Sequence, residues 1–102
     1  MKMRFWRVWL DDERKCPYTD FESFHSVNEV IEFVKTHVGM IMFDLDHDLG
    51  IYAQDGGDAI KLIHWLLENG YHENKDYIFT FRFHTMNPIG RANMEALVQR
   101  YF

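Results

Sequence analysis

Apolar residues along the chain recur with two periods, one typical of strands and one typical of helices. Residues 3–10 are rich in aromatic and β-branched side chains, and residues 40–45 form the nearly continuous apolar run of a buried central strand. Aromatic residues alternate with other side chains over residues 76–83, and a further short strand is predicted within residues 20–26. We therefore expect about four strands.

Three segments place apolar residues three and four positions apart, as one face of a helix requires. They follow the capping residues Ser26 or Asn28, Asp58, and Asn87. Strands that alternate with helices predict a mostly parallel sheet with helices on both faces, which is an α/β domain of three layers. The link between the first two strands is too short for the usual helical crossover.

Polar residues gather directly after three of the predicted strands. These clusters are Asp11-Asp12, Asp46-His47-Asp48 and His84-Thr85-Met86-Asn87. Because the carboxyl ends of parallel strands lie at one edge of a sheet, we expect the three clusters to converge there. That edge is also where ligands bind in open α/β sheets.

Composition limits the classes of function. A length of 102 residues suits a single domain, residues 1–102, and 47% hydrophobic residues supply enough apolar area for its core. The net charge of −5 argues against binding to duplex DNA, because contacts from Lys and Arg to phosphates supply most of that affinity. No apolar run approaches the ~20 residues of a membrane span. The single Cys16 and the absence of a signal sequence predict a cytoplasmic protein, and protein partners are not indicated.

Carboxylates packed at one sheet edge repel one another unless a cation or raised pKa values relieve the repulsion. Oxygen ligands favour Mg²⁺ or Mn²⁺ at the carboxylates of Asp11, Asp12, Asp46 and Asp48. Our working hypothesis assigns the ion to Asp11, Asp12 and Asp46. His47 and His84 follow different strands, and two imidazoles beside a metal-bound phosphate can act as base and acid. For any one aspartate taken singly, a solvated loop residue or helix cap is the favoured interpretation, and for each histidine a hydrogen-bonded structural residue is the alternative.

The segment from Asn87 to Arg91 opens the last predicted helix beside the same edge. Free backbone N–H groups and the helix dipole attract an anion at such a position. Arg91 can hold a phosphate through two hydrogen bonds, and a solvated arginine in the first turn is the alternative. The helix start is thus a candidate phosphate site.

The chain resembles response-regulator receiver domains, in which acids close strands one and three and a Ser or Thr closes strand four. It ends before the fifth strand that carries the receiver's lysine, so we expect a truncated, receiver-like (flavodoxin-like) fold without conventional phosphoacceptor signalling. A closer resemblance, to the cyclic-phosphate-processing receiver-like domains, spans nearly the whole chain. It is carried by three motifs, with Thr85 in place of the family's serine: Leu10-Asp11-Asp12-Glu13-Arg14-Lys15-Cys16-Pro17, Asp46-His47-Asp48-Leu49-Gly50, and His84-Thr85-Met86-Asn87-Pro88-Ile89-Gly90-Arg91-Ala92-Asn93-Met94.

The resemblance implies a metal-dependent phosphoesterase that opens cyclic phosphates on RNA ends or in cyclic nucleotides, for RNA repair or nucleotide signalling. On this hypothesis the catalytic residues are His47, His84 and Asp48. The residues that orient the phosphate are Arg14, Thr85, Asn87, Arg91 and Asn93. Two alternatives stay open: a non-catalytic module that binds a nucleotide or phosphorylated end in the same pocket, and a partner-binding receiver relative whose acids are vestigial.

Overall fold

A computed structural model describes residues 3–102 and contains a four-stranded parallel sheet with three α-helices. The strands are β1 (Phe5–Leu10), β2 (Glu22–Phe24), β3 (Gly39–Leu45) and β4 (Tyr77–Phe83). The helices are α1 (Val27–Thr36), α2 (Ile60–Glu68) and α3 (Pro88–Tyr101), with short 3₁₀ turns at Gly50–Gln54 and Tyr71–Glu73. The sheet order is β2-β1-β3-β4 and every pair is parallel. The predicted receiver-like α/β class with about four strands is confirmed.

One face of the sheet carries the core. Val8 of β1 lies beside Phe43 of β3, which lies beside Phe81 of β4, and these aligned side chains face the helices. The alternating residues of β4 behave as predicted, since its aromatic side chains pack against the core while Thr80 and Arg82 are exposed. The apolar faces of all three helices complete one buried cluster.

The layering differs from the predicted three layers, because α1, α2 and α3 lie side by side on the same face. The crossovers from β2 to β3 and from β3 to β4 advance in one direction across the sheet, and right-handed crossovers in one direction place their helices on one face. The step from β1 to β2 runs the opposite way but contains no helix. Among residues 3–102, no helix covers the second face.

The link over residues 11–21 lies partly across that open face. Asp20 forms an ion pair with Arg7 at 3.1 Å, and the ring of Tyr18 packs edge-on against Trp9, with 6.5 Å between ring centres. The indole of Trp9 donates a hydrogen bond to the carbonyl of Arg14 at 3.0 Å. Trp9 is therefore buried, as expected for a core residue, but beneath this link and not beneath the helices.

The boundaries of α1 and α3 agree with the predicted capping residues, whereas the predicted cap Asp58 is wrong, because Ala59 holds the N-cap position of α2 without a side-chain hydrogen bond. Ser26 caps α1 through a capping box with Glu29, and Asn87 caps α3 by accepting a hydrogen bond from the backbone of Gly90. In the described part of the chain, no helix is both long and apolar enough to cross a membrane.

Candidate functional site

The carboxyl ends of the three longest strands meet at one edge of the sheet. The backbone N–H of Asp46 donates to the carbonyl of Leu10 at 2.9 Å, and that of His84 donates to the carbonyl of Leu45 at 3.0 Å. These bonds continue the strand pairing into the loops, so the first residues after β1, β3 and β4 lie next to one another. The three polar clusters of the sequence converge at this edge.

Asp11, Asp12 and Asp46 each offer a ligand atom, and these atoms lie within 4.8 Å of one another. Because metal–oxygen bonds to Mg²⁺ or Ca²⁺ are about 2.0–2.6 Å long, oxygens at this spacing can share one ion. Burial and the neighbouring charge of Asp11 raise the pKa of Asp46, although a hydrogen bond from Thr85 partly opposes them. The three residues therefore form a crowded, acidic trio that suits a hard divalent cation.

His84 lies between two buried carboxylates. Its Nδ1 is 2.7 Å from Oδ1 of Asp44, its Nε2 is 2.9 Å from Oδ2 of Asp11, and its ring stacks on Trp9 at 3.8 Å. Both ring nitrogens of His84 are therefore within hydrogen-bond distance of a carboxylate. His84 holds the two acids in place.

Asp44 interrupts the apolar run of β3. Its carboxylate accepts hydrogen bonds from His84 and from Arg82, the latter at 2.8 Å. Burial alone would raise the pKa of Asp44, but these hydrogen bonds and charges outweigh burial and lower it. Asp44 is thus the residue that anchors His84, a role that sequence reasoning missed although the charge within a buried strand was its signal.

His47 belongs to a second group of side chains at the edge. Its Nδ1 lies 2.8 Å from Oδ1 of Asp48, and this hydrogen bond together with one from Asn87 lowers the pKa of Asp48. The amide of Asn87 has two structural tasks, since Nδ2 contacts Asp48 and Oδ1 caps α3. An imidazole oriented by a carboxylate at Nδ1 keeps Nε2 for proton transfer.

Two glycines of the motifs allow site residues to pack closely against the backbone. A Cβ on Gly90 would lie 2.5 Å from Cγ of His47, so the imidazole packs directly on the first turn of α3. Gly50 adopts φ of +57°, and a Cβ there would lie 2.7 Å from Oδ2 of Asp12. Any larger residue at either position would push a site residue away.

Comparison with known families agrees with the motifs and with this geometry. The model of the cyclic-phosphate processing receiver domain matches residues 6–100. The chain belongs to this family. The matched range contains all three motifs and all but the first residue of the sheet and the last residue of α3, so the family predicted from the motifs is confirmed. No curated protein and no solved structure matches the chain.

In this cyclic-phosphate processing receiver domain, Asp58 is a site neighbour that the sequence indicated only as a helix cap. Its carboxylate, Asp48 and His47 offer ligand atoms within 4.8 Å of one another, and Asp58 accepts a hydrogen bond from the backbone of Leu49 at 3.0 Å. Asp58 lies just before α2 in the sequence, and only the fold brings its carboxylate to the loop after β3.

The predicted phosphate-binding residues divide into two sets. Thr85 is buried beside Asp46 and accepts a hydrogen bond from the backbone of Asn87, so it lies within the site. Arg14 reaches the site edge, with Nη1 at 3.4 Å from the carbonyl of His84. Arg91 and Asn93 are exposed on α3, where Arg91 faces Glu95 at 3.6 Å. Among the described residues, no hydrogen bond joins Asn93 to the acidic trio.

Proposed function

We propose that this receiver domain hydrolyses a cyclic phosphodiester, either the 2′,3′-cyclic phosphate of an RNA end or a cyclic nucleotide, with Mg²⁺ or Mn²⁺ as cofactor. The observation that carries the proposal is the acidic trio Asp11, Asp12 and Asp46, whose oxygens lie within 4.8 Å at the ligand-binding edge of the sheet. Cyclic-phosphate processing is also the description of the family. RNA repair and nucleotide signalling are the cellular roles that suit this chemistry.

When bound, a divalent cation neutralises charge on the phosphate and polarises it toward attack. The trio would hold the ion, and Thr85 and the start of α3 lie where they can orient phosphate oxygens. His84, fixed by Asp44 and Asp11, serves as a positioning residue that keeps the buried acids in one geometry. We therefore assign proton transfer to His47.

The reaction uses one water for each cyclic ester. His47 Nε2 accepts a proton from water as the water oxygen bonds to phosphorus, and the bond between phosphorus and one ribose oxygen breaks. The same imidazole then returns the proton to that ribose oxygen. The products are a phosphomonoester and a free hydroxyl, so atoms and charge balance. Asp48 holds the imidazole through Nδ1 and stabilises its protonated form.

The alternative function is a non-catalytic module that binds a nucleotide or a phosphorylated end and regulates a partner. One observation favours it: both ring nitrogens of His84 face carboxylates, so the site offers a single free imidazole where the sequence predicted two. This alternative predicts saturable binding of the same ligands without turnover.

The test is hydrolysis of a 2′,3′-cyclic nucleotide in Mg²⁺, Mn²⁺ or EDTA. We expect metal-dependent turnover that Asp46→Asn abolishes, that His47→Gln lowers by about 10²- to 10⁴-fold, and that His84→Ala also lowers. Matched controls are Asp76→Asn and His64→Gln, which change an exposed loop and the surface of α2. Full turnover by Asp46→Asn would contradict the metal-ligand assignment, and binding without turnover by the unaltered protein would favour the regulatory module.

A further inference from the structure

A groove of about 530 Å³ runs beside β4, the edge strand of the sheet, and one of its lining residues, His84, contacts the acidic trio. Its walls come from the link over residues 11–21, from β1, β3 and β4, and from α3. His84 forms the boundary between the groove and the trio, because its ring lines the groove while Nε2 contacts Asp11 at 2.9 Å. The thickness of one side chain therefore separates the groove from the trio.

The groove presents an exposed aromatic ring. Tyr18 is 48% exposed although it contacts Trp9, and the Asp20–Arg7 ion pair ties its loop to the sheet. The guanidinium of Arg82 lies 5.6 Å from the centre of the Tyr18 ring. Exposed aromatic rings and guanidinium planes are the surfaces on which unpaired bases stack.

Two arginines supply positive charge to the groove. The side chain of Arg82 is 51% exposed even though it pairs with Asp44, and that of Arg91 is 48% exposed with Glu95 at 3.6 Å. Both line the groove, in a protein whose net charge is −5. Positive charge beside a stacking surface suits a single strand, in which bases and phosphates alternate.

We infer that the groove binds the nucleotides that precede the cyclic phosphate of a single-stranded RNA end, with a base on Tyr18 and a backbone phosphate near Arg91. The inference rests on the proposed function and names its substrate as an RNA end. A free cyclic mononucleotide has one phosphate, which the trio would occupy. Only a longer strand reaches the trio and the far wall of the groove together.

The experiment measures binding separately from turnover. Fluorescence anisotropy is measured in Mg²⁺ with a 5′-labelled RNA tetranucleotide that ends in a 3′-phosphate and so has no cyclic ester to hydrolyse. An unlabelled nucleoside 3′-monophosphate, a mononucleotide with the same end, competes for the site. We expect the tetranucleotide to bind at least about tenfold more tightly than the mononucleotide. Tyr18→Ala should weaken tetranucleotide binding about tenfold and leave the mononucleotide within about twofold, and Arg91→Ala should also weaken tetranucleotide binding about tenfold.

The controls use a second pair of one tyrosine and one arginine, which lies elsewhere in the domain. Tyr101 is 44% exposed, and the guanidinium of Arg100 lies 5.4 Å from its ring, far along α3. Tyr101→Ala and Arg100→Ala should leave both affinities unchanged. Tyr18→Phe keeps the stacking ring and should retain tetranucleotide binding, which separates stacking from a general loss of folding.

The outcomes distinguish the two proposals. Turnover of the cyclic mononucleotide without any preference for the tetranucleotide would overturn the groove inference and leave the proposed hydrolysis standing. Preferential, Tyr18-dependent binding of the tetranucleotide without turnover would uphold the groove inference and reject the hydrolysis. Equal effects of Tyr18→Ala and Tyr101→Ala would also overturn the groove inference.

Discussion

At the scale of single residues, the site depends on two glycines as well as on its polar side chains. Gly90 and Gly50 occupy positions where a Cβ would lie 2.5 Å from the His47 ring and 2.7 Å from the Asp12 carboxylate. Interior helical glycine is otherwise unfavourable by about 1 kcal/mol relative to alanine. Close packing against His47 explains why α3 carries glycine in its first turn.

Gly90→Ala separates these two effects. Helix propensity alone predicts a gain in stability of about 1 kcal/mol, whereas contact with His47 predicts a displaced imidazole. We expect the free energy of unfolding to change little because the effects oppose each other, while hydrolysis falls at least about tenfold. Urea unfolding and the hydrolysis assay measure both.

The control for this change is Ala92→Gly, an exposed position in the same helix. It should lower stability by about 1 kcal/mol without changing hydrolysis. If Gly90→Ala gained the full helix-propensity energy and kept its activity, the close approach of His47 would have no functional importance.

Asp46→Asn tests whether the acidic trio binds a cation. Burial and the charge of Asp11 raise the pKa of Asp46, so the folded, metal-free state holds this proton at pH values where the unfolded chain, near 3.8, releases it. The metal-free protein should therefore lose stability as pH rises from about 4 through the raised pKa.

At pH 7 we accordingly expect Asp46→Asn to raise the melting temperature of the metal-free protein. Mg²⁺ or Mn²⁺ should stabilise the unaltered protein and not the variant, because only the unaltered protein has the complete ligand set. Thermal melts with and without the ion measure both effects. A destabilised metal-free variant, or one that the ion still stabilises, would contradict the prediction.

At the scale of elements, α1 is attached to the rest of the domain through its cap. Ser26 Oγ accepts the backbone N–H of Glu29 at 3.3 Å and donates to Asp55 at 2.7 Å, so one hydroxyl caps the helix and holds the loop before α2. The Asp55 carboxylate also accepts a hydrogen bond from Asn28. Ser26 is thus a junction between two elements.

Ser26→Ala should lower the free energy of unfolding by about 1–2 kcal/mol, at the upper end of the range for loss of a cap, because the hydroxyl serves two partners. Urea unfolding measures the change. Ser23→Ala, at an exposed position of β2, is the control and should have little effect. A cost for Ser26→Ala no larger than that of the control would show that the capping box adds nothing.

At the scale of the whole molecule, Asp44 joins β3, β4 and the loop after β1. It bonds to Arg82 and to His84, which in turn contacts Asp11 across the sheet. Its lowered pKa means that the ionised form stabilises the fold above the unfolded value of 3.8, and that this stability is lost as pH falls through the lowered value.

Asp44→Asn should therefore cost about 1–3 kcal/mol at pH 7, as for the loss of a charged hydrogen-bond partner. The difference from the unaltered protein should shrink as pH falls below about 4, where the carboxylate becomes protonated. Chemical denaturation over a series of pH values measures it, with the exposed Asp76→Asn as control. A difference that stays constant down to pH 2 would rule out this role of the Asp44 charge.

Local patterns were sufficient to predict the elements and the edge where the site lies. The apolar run before Asp46, the aromatic alternation of β4 and the cap at Asn87 each reflect a preference that neighbouring residues satisfy alone. The acidic pair after β1 and the Asp-His-Asp motif after β3 could be placed together because parallel strands end at one edge. Motif spacing was specific enough to identify the family.

Tertiary structure alone decided the contacts that cross between elements. The sequence does not indicate that His84 would lie between Asp44 and Asp11, 40 and 73 positions away, or that Asp58 would approach His47. Nor does the alternation of strands and helices indicate that all helices share one face, which leaves the other face to the link that carries Tyr18. The periodicity of a segment indicates which of its residues are buried. Which residues a buried or charged side chain then contacts depends on the order of the strands in the sheet.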